Sequence, residues 1–266
     1  KYTNQLYLVA ADGSSTPRAL TYKENASQPI WSPDGKKIAF VRAVDGKPQI
    51  FLLSLEGGEP VQITKFRYGA SSPQFSPDGS QLLFSASVSL ADMLKDKELN
   101  PTAAVPAWPA EKPGFEQNQF LQPNNALPNP DGTTEEIRAY LALNVAEKKA
   151  KVINKLNFQE EATTSGDQSF AHLFVVAAEA GSMPKAVTQG FHRFGGASFT
   201  PDGKQIIFTG NTDNSQHPDR ALESQVFMVN TDGSGMKQLL GAVGKSYSSP
   251  SVSPSGKWLA VQVGTV

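Results

Sequence analysis

Apolar positions in this chain cluster into short runs set off by polar turns, and the runs recur. Ile38-Ala39-Phe40, Leu82-Leu83-Phe84, Ile206-Ile207-Phe208 and Leu259-Ala260-Val261 are near copies of one another. Short continuous apolar runs bounded by turn residues predict strands buried on both faces. Each run begins three residues after the glycine of a repeated turn: Trp31-Ser32-Pro33-Asp34-Gly35, Phe75-Ser76-Pro77-Asp78-Gly79, Phe199-Thr200-Pro201-Asp202-Gly203 and, more loosely, Val252-Ser253-Pro254-Ser255-Gly256. Proline pre-sets φ, Asp suits the following position and Gly supplies φ > 0, so each turn reads as a hairpin tip. A second module runs Gln5-Leu6-Tyr7-Leu8-Val9, Gln49-Ile50-Phe51-Leu52-Leu53, His172-Leu173-Phe174-Val175-Val176 and Gln225-Val226-Phe227-Met228-Val229. It leads to a Gly-containing turn and a closing strand, as in Gly57-Gly58-Glu59-Pro60-Val61-Gln62-Ile63-Thr64. One period therefore holds four antiparallel strands, a to d, which predicts an all-β chain built of β-propeller blades.

The proline turns lie 44, 124 and 53 residues apart. The first interval is one blade, and the second calls for an insertion, placed at residues 88–135. That segment opens with a short helix at Leu90–Leu99 and continues through a Pro/Asn/Gln-rich run that includes Pro106, Trp108, Pro109, Pro113, Pro123, Pro128 and Pro130. Beyond it, Ile137–Leu143 and Lys151–Leu156 read as strands c and d of the same blade. The blades then fall at 1–21 (strands c and d), 28–64, 72–156, an irregular one at 157–188, 197–240, and 250–263 (strands a and b). This is an incomplete propeller of about five blades' worth of sequence over 1–266. An open arc would expose two apolar blade faces, so the expectation is a fragment of a longer protein, with Lys1 as a cut end.

Composition narrows the function classes. With 266 residues, 39% hydrophobic and 18% charged, at a net charge of -1, the chain can bury a core and shows no basic stripe for nucleic acid. The lack of cysteine removes disulfides, thiolate catalysis and cysteine-ligated zinc, and leaves the compartment open. No run approaches the length of a membrane span.

Catalytic chemistry is hard to place. A nucleophilic serine on a hydrolase domain needs a Gly-x-Ser-x-Gly elbow, and the nearest approach, Gly244-Lys245-Ser246-Tyr247-Ser248, lacks the second glycine. Of the three histidines, His172 fills the slot held by Gln5, Gln49 and Gln225, while His192 and His217 fall in loops. No histidine pair has metal-ligand spacing, and Asp12, Asp213 and Asp219 read as turn residues. The glycines are turn glycines and precede no phosphate-cradling helix, so no cofactor and no metal is expected. Glu160-Glu161 could hold a peptide amine but reads first as an exposed loop pair.

The a–b and c–d turns of a blade share one face, and the b–c and d–a connections share the other. That second face collects the insertion, Lys65-Phe66-Arg67-Tyr68, Phe191-His192-Arg193-Phe194 and Asn211–Glu223. Aromatic and Arg residues gathered there suit peptide or domain contact, with Arg67, Tyr68, His192 and Arg193 as the candidate residues.

Ser32–Phe40, Gln49–Leu53 and the Gly-Gly-x-Pro turn together resemble blades of TolB-type propellers and the propeller of prolyl oligopeptidase family serine peptidases. Lys151–Phe158 with His172–Val176, and Asp213-Asn214 through Ser224–Val229, are similar to the mid-propeller of acylaminoacyl-peptidase and dipeptidyl-peptidase-like members. The resemblance implies a non-catalytic propeller that gates and selects peptide substrates. Its partner would be the protein's own C-terminal α/β-hydrolase domain, with the catalytic residues beyond Val266. The alternative it implies is a TolB-type interaction propeller of the cell envelope. A propeller-fold lyase would need several His or carboxylate residues converging on the channel, which three scattered histidines do not supply.

Overall fold

The computed structural model describes residues 3–106, 124–146, 153, 155 and 167–266. Three four-stranded antiparallel sheets and two two-stranded sheets follow one another along the described chain. The first half-blade holds β1 (Tyr7–Leu8) and β2 (Arg18–Ala19). The first whole blade holds β3 (Ser27–Trp31), β4 (Lys37–Val44), β5 (Lys47–Ser54) and β6 (Val61–Gln62). The next is built of β7 (Ser71–Phe75), β8 (Gln81–Ser89), β9 (Ser169–Ala177) and β10 (Lys185–Ala186), with helices α1 (Leu90–Met93) and α2 (Thr134–Ala146) between β8 and β9. The third whole blade is β11 (Arg193–Phe199), β12 (Gln205–Asn211), β13 (Gln225–Asn230) and β14 (Lys237–Leu240), and β15 (Lys245–Val252) with β16 (Leu259–Thr265) forms the last half.

In the three whole blades strands b and c are buried on both faces, as their continuous apolar runs predict, whereas β1 and β16 of the half-blades are partly buried to exposed. In β8, Leu82 and Phe84 join the cluster containing Ala39, Ile50 and Leu52 of the preceding blade. Their neighbour Leu83 points the other way, to Phe194, Ile206 and Phe208 of the following blade. Each whole blade also stacks one aromatic pair across b and c: Phe40–Phe51 at 5.8 Å, Phe84–Phe174 at 5.5 Å and Phe208–Phe227 at 5.7 Å. Such cross-strand pairs fix register as well as adding stability.

The proline turns are closed by their own side chains. Ser32 Oγ donates to Asp34 Oδ1 at 2.6 Å and accepts from the Lys37 amide, while Asp34 accepts from the Lys36 amide. Thr200 and Asp202 repeat the arrangement. Gly35, Gly79, Gly203 and Gly256 all take φ of 70–75°, the left-handed region that makes glycine the fit residue there.

A second repeat escaped the sequence reading. Gln28, Ser72, Gly196 and Ser249, each five residues before a turn proline, adopt φ of 49–59°. The pairing register of strand a shifts at each of these sites, the signature of a β-bulge. The bulges of the first two whole blades are linked, since the Ser72 amide donates to Gln28 Oε1 at 2.7 Å.

Two expectations fail in the middle of the chain. Ile137–Leu143 is not strand c: it lies inside α2. Thr133 explains why, because its amide donates to Glu136 Oε2 at 2.7 Å and its hydroxyl accepts from the Glu136 amide, a capping box that starts a helix. The proposed strand at Lys151–Leu156 lies outside the described residues except for Ile153 and Lys155, neither of which is in a strand. The strand that pairs with β8 is β9, in continuous register from Gln81↔Ala177 to Ser89↔Ser169. Residues 169–186 therefore complete the blade begun at Ser71, and no separate irregular blade occupies 157–188. The described strands amount to four blades' worth, and residues 90–168 separate β8 from β9.

Candidate functional site

Hydrogen bonding at the start of strand c positions the loop face. Gln49 accepts from the Thr64 hydroxyl at 2.8 Å and from the Phe66 amide at 3.0 Å, and donates to the Phe66 carbonyl at 2.9 Å. Thr64 in turn accepts from the Ile50 amide at 2.9 Å. The same clamp joins Gln5 to Thr21 and His172 to Thr188, so His172 does the work of a strand-c glutamine. In each case the clamp holds the chain as it leaves the outer strand for the next blade.

Immediately after this clamp come Arg67 and Tyr68. Both bind Asp96, which follows α1 in the β8–β9 excursion: Arg67 as an ion pair and Tyr68 through its hydroxyl at 2.6 Å. Asp96 is almost wholly buried and also accepts from the Glu98 and Leu99 amides. Burial by itself would raise the Asp96 pKa, but the bonds from Tyr68, the two amides and Arg67 hold it below the usual carboxylate value. The Tyr68 phenol is pushed up, first by burial and then by donating to this carboxylate. A recess of about 570 Å³ opens beside the trio, with Lys47, Lys95 and Lys97 at its rim.

His192 and Arg193 form a second cluster. Arg193 donates to Asp219 at 2.8 Å and to the Ser169 carbonyl at 3.0 Å, and Asp219 also accepts from Gln168. The Asp219 side chain is nearly inaccessible, so it is a buried anchor for the 211–223 loop rather than a plain turn residue. His217 is likewise buried, against the expectation of a surface loop, and its Nδ1 accepts from the Asp219 amide at 3.2 Å. Asp12 and Asp213 do cap turns, accepting from the amides of Ser14 and Ser215. His192 lines a recess of about 310 Å³ with Phe194, Gly195, Thr209, Pro218 and Leu222, and burial lowers its pKa.

The four candidate residues thus separate into two clusters on the loop face, Arg67 with Tyr68 and His192 with Arg193. Both arginines already hold carboxylates, which makes them fasteners of the b–c loops to the d–a loops. Exposed parts remain for contact: Arg67 is 62% exposed and lies over the Tyr68 ring at 4.7 Å. Sequence reasoning missed Asp96 and took Asp219 for a turn residue, since an acidic residue in an irregular loop carries no periodic signal. Glu160-Glu161 lies outside the described residues. No helix among the described residues is long and apolar enough to cross a membrane.

Residues 1–92 match the family described as TolB beta propeller domain. No curated protein sequence matches the chain. Among solved structures it is similar to TolB from Acinetobacter baumannii, at 21% identity and a TM-score of 0.50 over 97% of this chain and 42% of that one. It is also similar to oligogalacturonate lyase from Vibrio parahaemolyticus, at 15% identity and a TM-score of 0.54 over 97% and 52%. A puromycin-hydrolyzing peptidase from Mycobacterium tuberculosis aligns at 13% identity and a TM-score of 0.52 over 99% and 36%. The chain spans about half or less of each of these three structures, and identities this low speak for the fold alone. Residues 1–92 carry the sequence signature of the TolB beta propeller domain, and the described residues beyond them keep the same antiparallel blade architecture.

Proposed function

We propose that this propeller is the non-catalytic, substrate-selecting part of a serine peptidase, in which the loop face gates peptides on their way to an α/β-hydrolase domain encoded beyond Val266. The observation that supports this reading is the long β8–β9 excursion over 90–168, docked through Asp96 onto Arg67 and Tyr68. It interrupts an otherwise near-uniform set of blades on the face where the other long loops gather. A propeller that only closes a ring has no use for such an excursion, whereas a gate needs a bulky element at its mouth. Peptides would meet the exposed Arg67 and the recess beside His192 before any catalytic residue.

Reading the coding sequence past Val266 tests this. A Gly-x-Ser-x-Gly elbow downstream, with the full product labelled by a fluorophosphonate probe, is the expected result. A stop codon after one or two further blades would overturn it. The reading then left is a protein-interaction propeller of the TolB type, which the match over residues 1–92 favours.

A further inference from the structure

Lys47, Arg67, Lys95 and Lys97 come from three separate elements, the start of β5, the β6–β7 loop and the turn after α1, and they converge on the recess of about 570 Å³. All four are exposed, and among the described residues no carboxylate lies within ion-pair distance of the three lysines. Three carboxylates share the lining, and each is occupied. Asp96 is held by Arg67 and Tyr68, Asp92 accepts from the Ser89 hydroxyl at 2.7 Å, and Glu98 accepts from the Ala186 amide at 2.6 Å. Like charges gathered without partners repel one another, and an anion in the recess relieves them.

These cations sit on a fixed frame. Lys47 Nζ donates to the Arg67 carbonyl at 2.5 Å and the Ala70 amide donates to the Pro48 carbonyl at 2.7 Å, so the start of β5 lies against the 67–70 segment. Gly69, at φ 80°, permits this approach, because a Cβ there would meet the Pro48 ring at 2.9 Å. Asp96 fastens the turn that carries Lys95 and Lys97 to the same segment. Arg67 and Glu98 also line a second recess, of about 610 Å³, together with Ile63, Lys65, Phe66, Ala180, Met183 and Pro184. Met183 stands 88% exposed there despite its apolar side chain. A basic recess thus adjoins a largely apolar one beside β6 and β10, the outer edge strands of the first two whole blades.

We propose that the two recesses form one docking groove for an extended segment of a partner protein in which a large apolar side chain is flanked by acidic residues. The carboxylates meet Lys47, Lys95, Lys97 and the exposed part of Arg67, and the apolar side chain covers Met183 and Phe66. Charge alone would suit any anion, but a phosphate or a nucleic-acid backbone brings nothing to fill the second recess. β6 and β10 each pair on one side only, so main-chain groups border the groove, which suits a peptide better than an acyl chain. An apolar centre with a charged rim is the usual anatomy of a protein contact, and a frame set before binding lowers the entropy lost on docking. The groove is separate from the recess beside His192. The inference does not rest on the peptidase reading, since a partner can dock here whether or not a hydrolase domain follows.

Fluorescence anisotropy tests the groove, with a labelled peptide that carries a single leucine between two pairs of glutamates as the probe. Binding to the full chain should saturate and should weaken as salt is added. The Lys95→Glu/Lys97→Glu variant should raise the dissociation constant about tenfold or more, as should glutamines in place of the peptide's glutamates. Glycine in place of its leucine, or Met183→Ser in the protein, should cost about fivefold. Lys95, Lys97 and Met183 are exposed, so these variants should unfold at the same urea concentration as the wild type. Leu222→Ser, in the recess beside His192, should leave binding unchanged. A probe that never saturates overturns the proposal. So does a glycine peptide that binds as well as the leucine one, which marks a surface open to any polyanion, and so does a loss confined to Leu222→Ser, which puts the peptide in the other recess.

Discussion

Replacing His172 by Gln should remove a pH dependence that the protein otherwise carries. The side chain is wholly buried, and its pKa is lowered from 6.5 to about 4, mainly by burial and then by the neighbouring His192; backbone groups at Thr188 and Gly190 and the Asp96 charge pull weakly the other way. The folded protein therefore holds this imidazole neutral where the unfolded chain would protonate it. Stability from this group is complete above about pH 6.5, falls as the pH drops toward 4 and is flat below that. With the pKa at about 4 in the folded protein, the loss between pH 7.5 and 4.5 comes to roughly 2 to 3 kcal/mol. Glutamine is the natural replacement because Gln49 fills the same slot and makes the same bond to its threonine. Urea unfolding of both proteins across this pH range measures the difference, and the wild type should lose about 2 kcal/mol more than His172→Gln. Curves that stay parallel within about 0.5 kcal/mol would refute the reasoning, since they would mean that the imidazole is hydrated or charged in the folded state.

Thr64→Val keeps the shape of a fully buried side chain but strands the Ile50 amide and removes the bond to Gln49, so it should cost about 2 to 4 kcal/mol in urea unfolding. Trypsin should then cut sooner in the Lys65–Tyr68 loop that this clamp holds. Ser72 is exposed at φ 54°, so Ser72→Val should destabilise by about 1 to 2 kcal/mol through backbone strain alone, while Ser72→Asn should be near neutral.

The repeat made the blades legible. A proline turn, an apolar run three residues later and a module opening on Gln or His carry the whole four-stranded unit, because every whole blade buries the same positions against its neighbours. Burial on both faces of strands b and c followed directly from their continuous apolar runs, and the structure bears it out in Leu82, Leu83 and Phe84. The middle of the chain was misread for a physical reason. The apolar positions of Ile137–Leu143 fit a strand as well as a helix, and the choice fell to a capping box just upstream.

What the sequence by itself determined is therefore the unit: strand order, turn chemistry and which side chains face the neighbouring blade, all local or repeated and so visible in one dimension. Tertiary structure alone decided which strand completes the interrupted blade, since β8 finds β9 across the excursion by register rather than by nearness in the chain. It also decided the partners of the loop-face residues. Arg67, Tyr68 and Arg193 looked like open contacts, yet each closes on a carboxylate brought in from a non-repeating loop, and only folding sets Asp96 and Asp219 where burial makes those bonds matter.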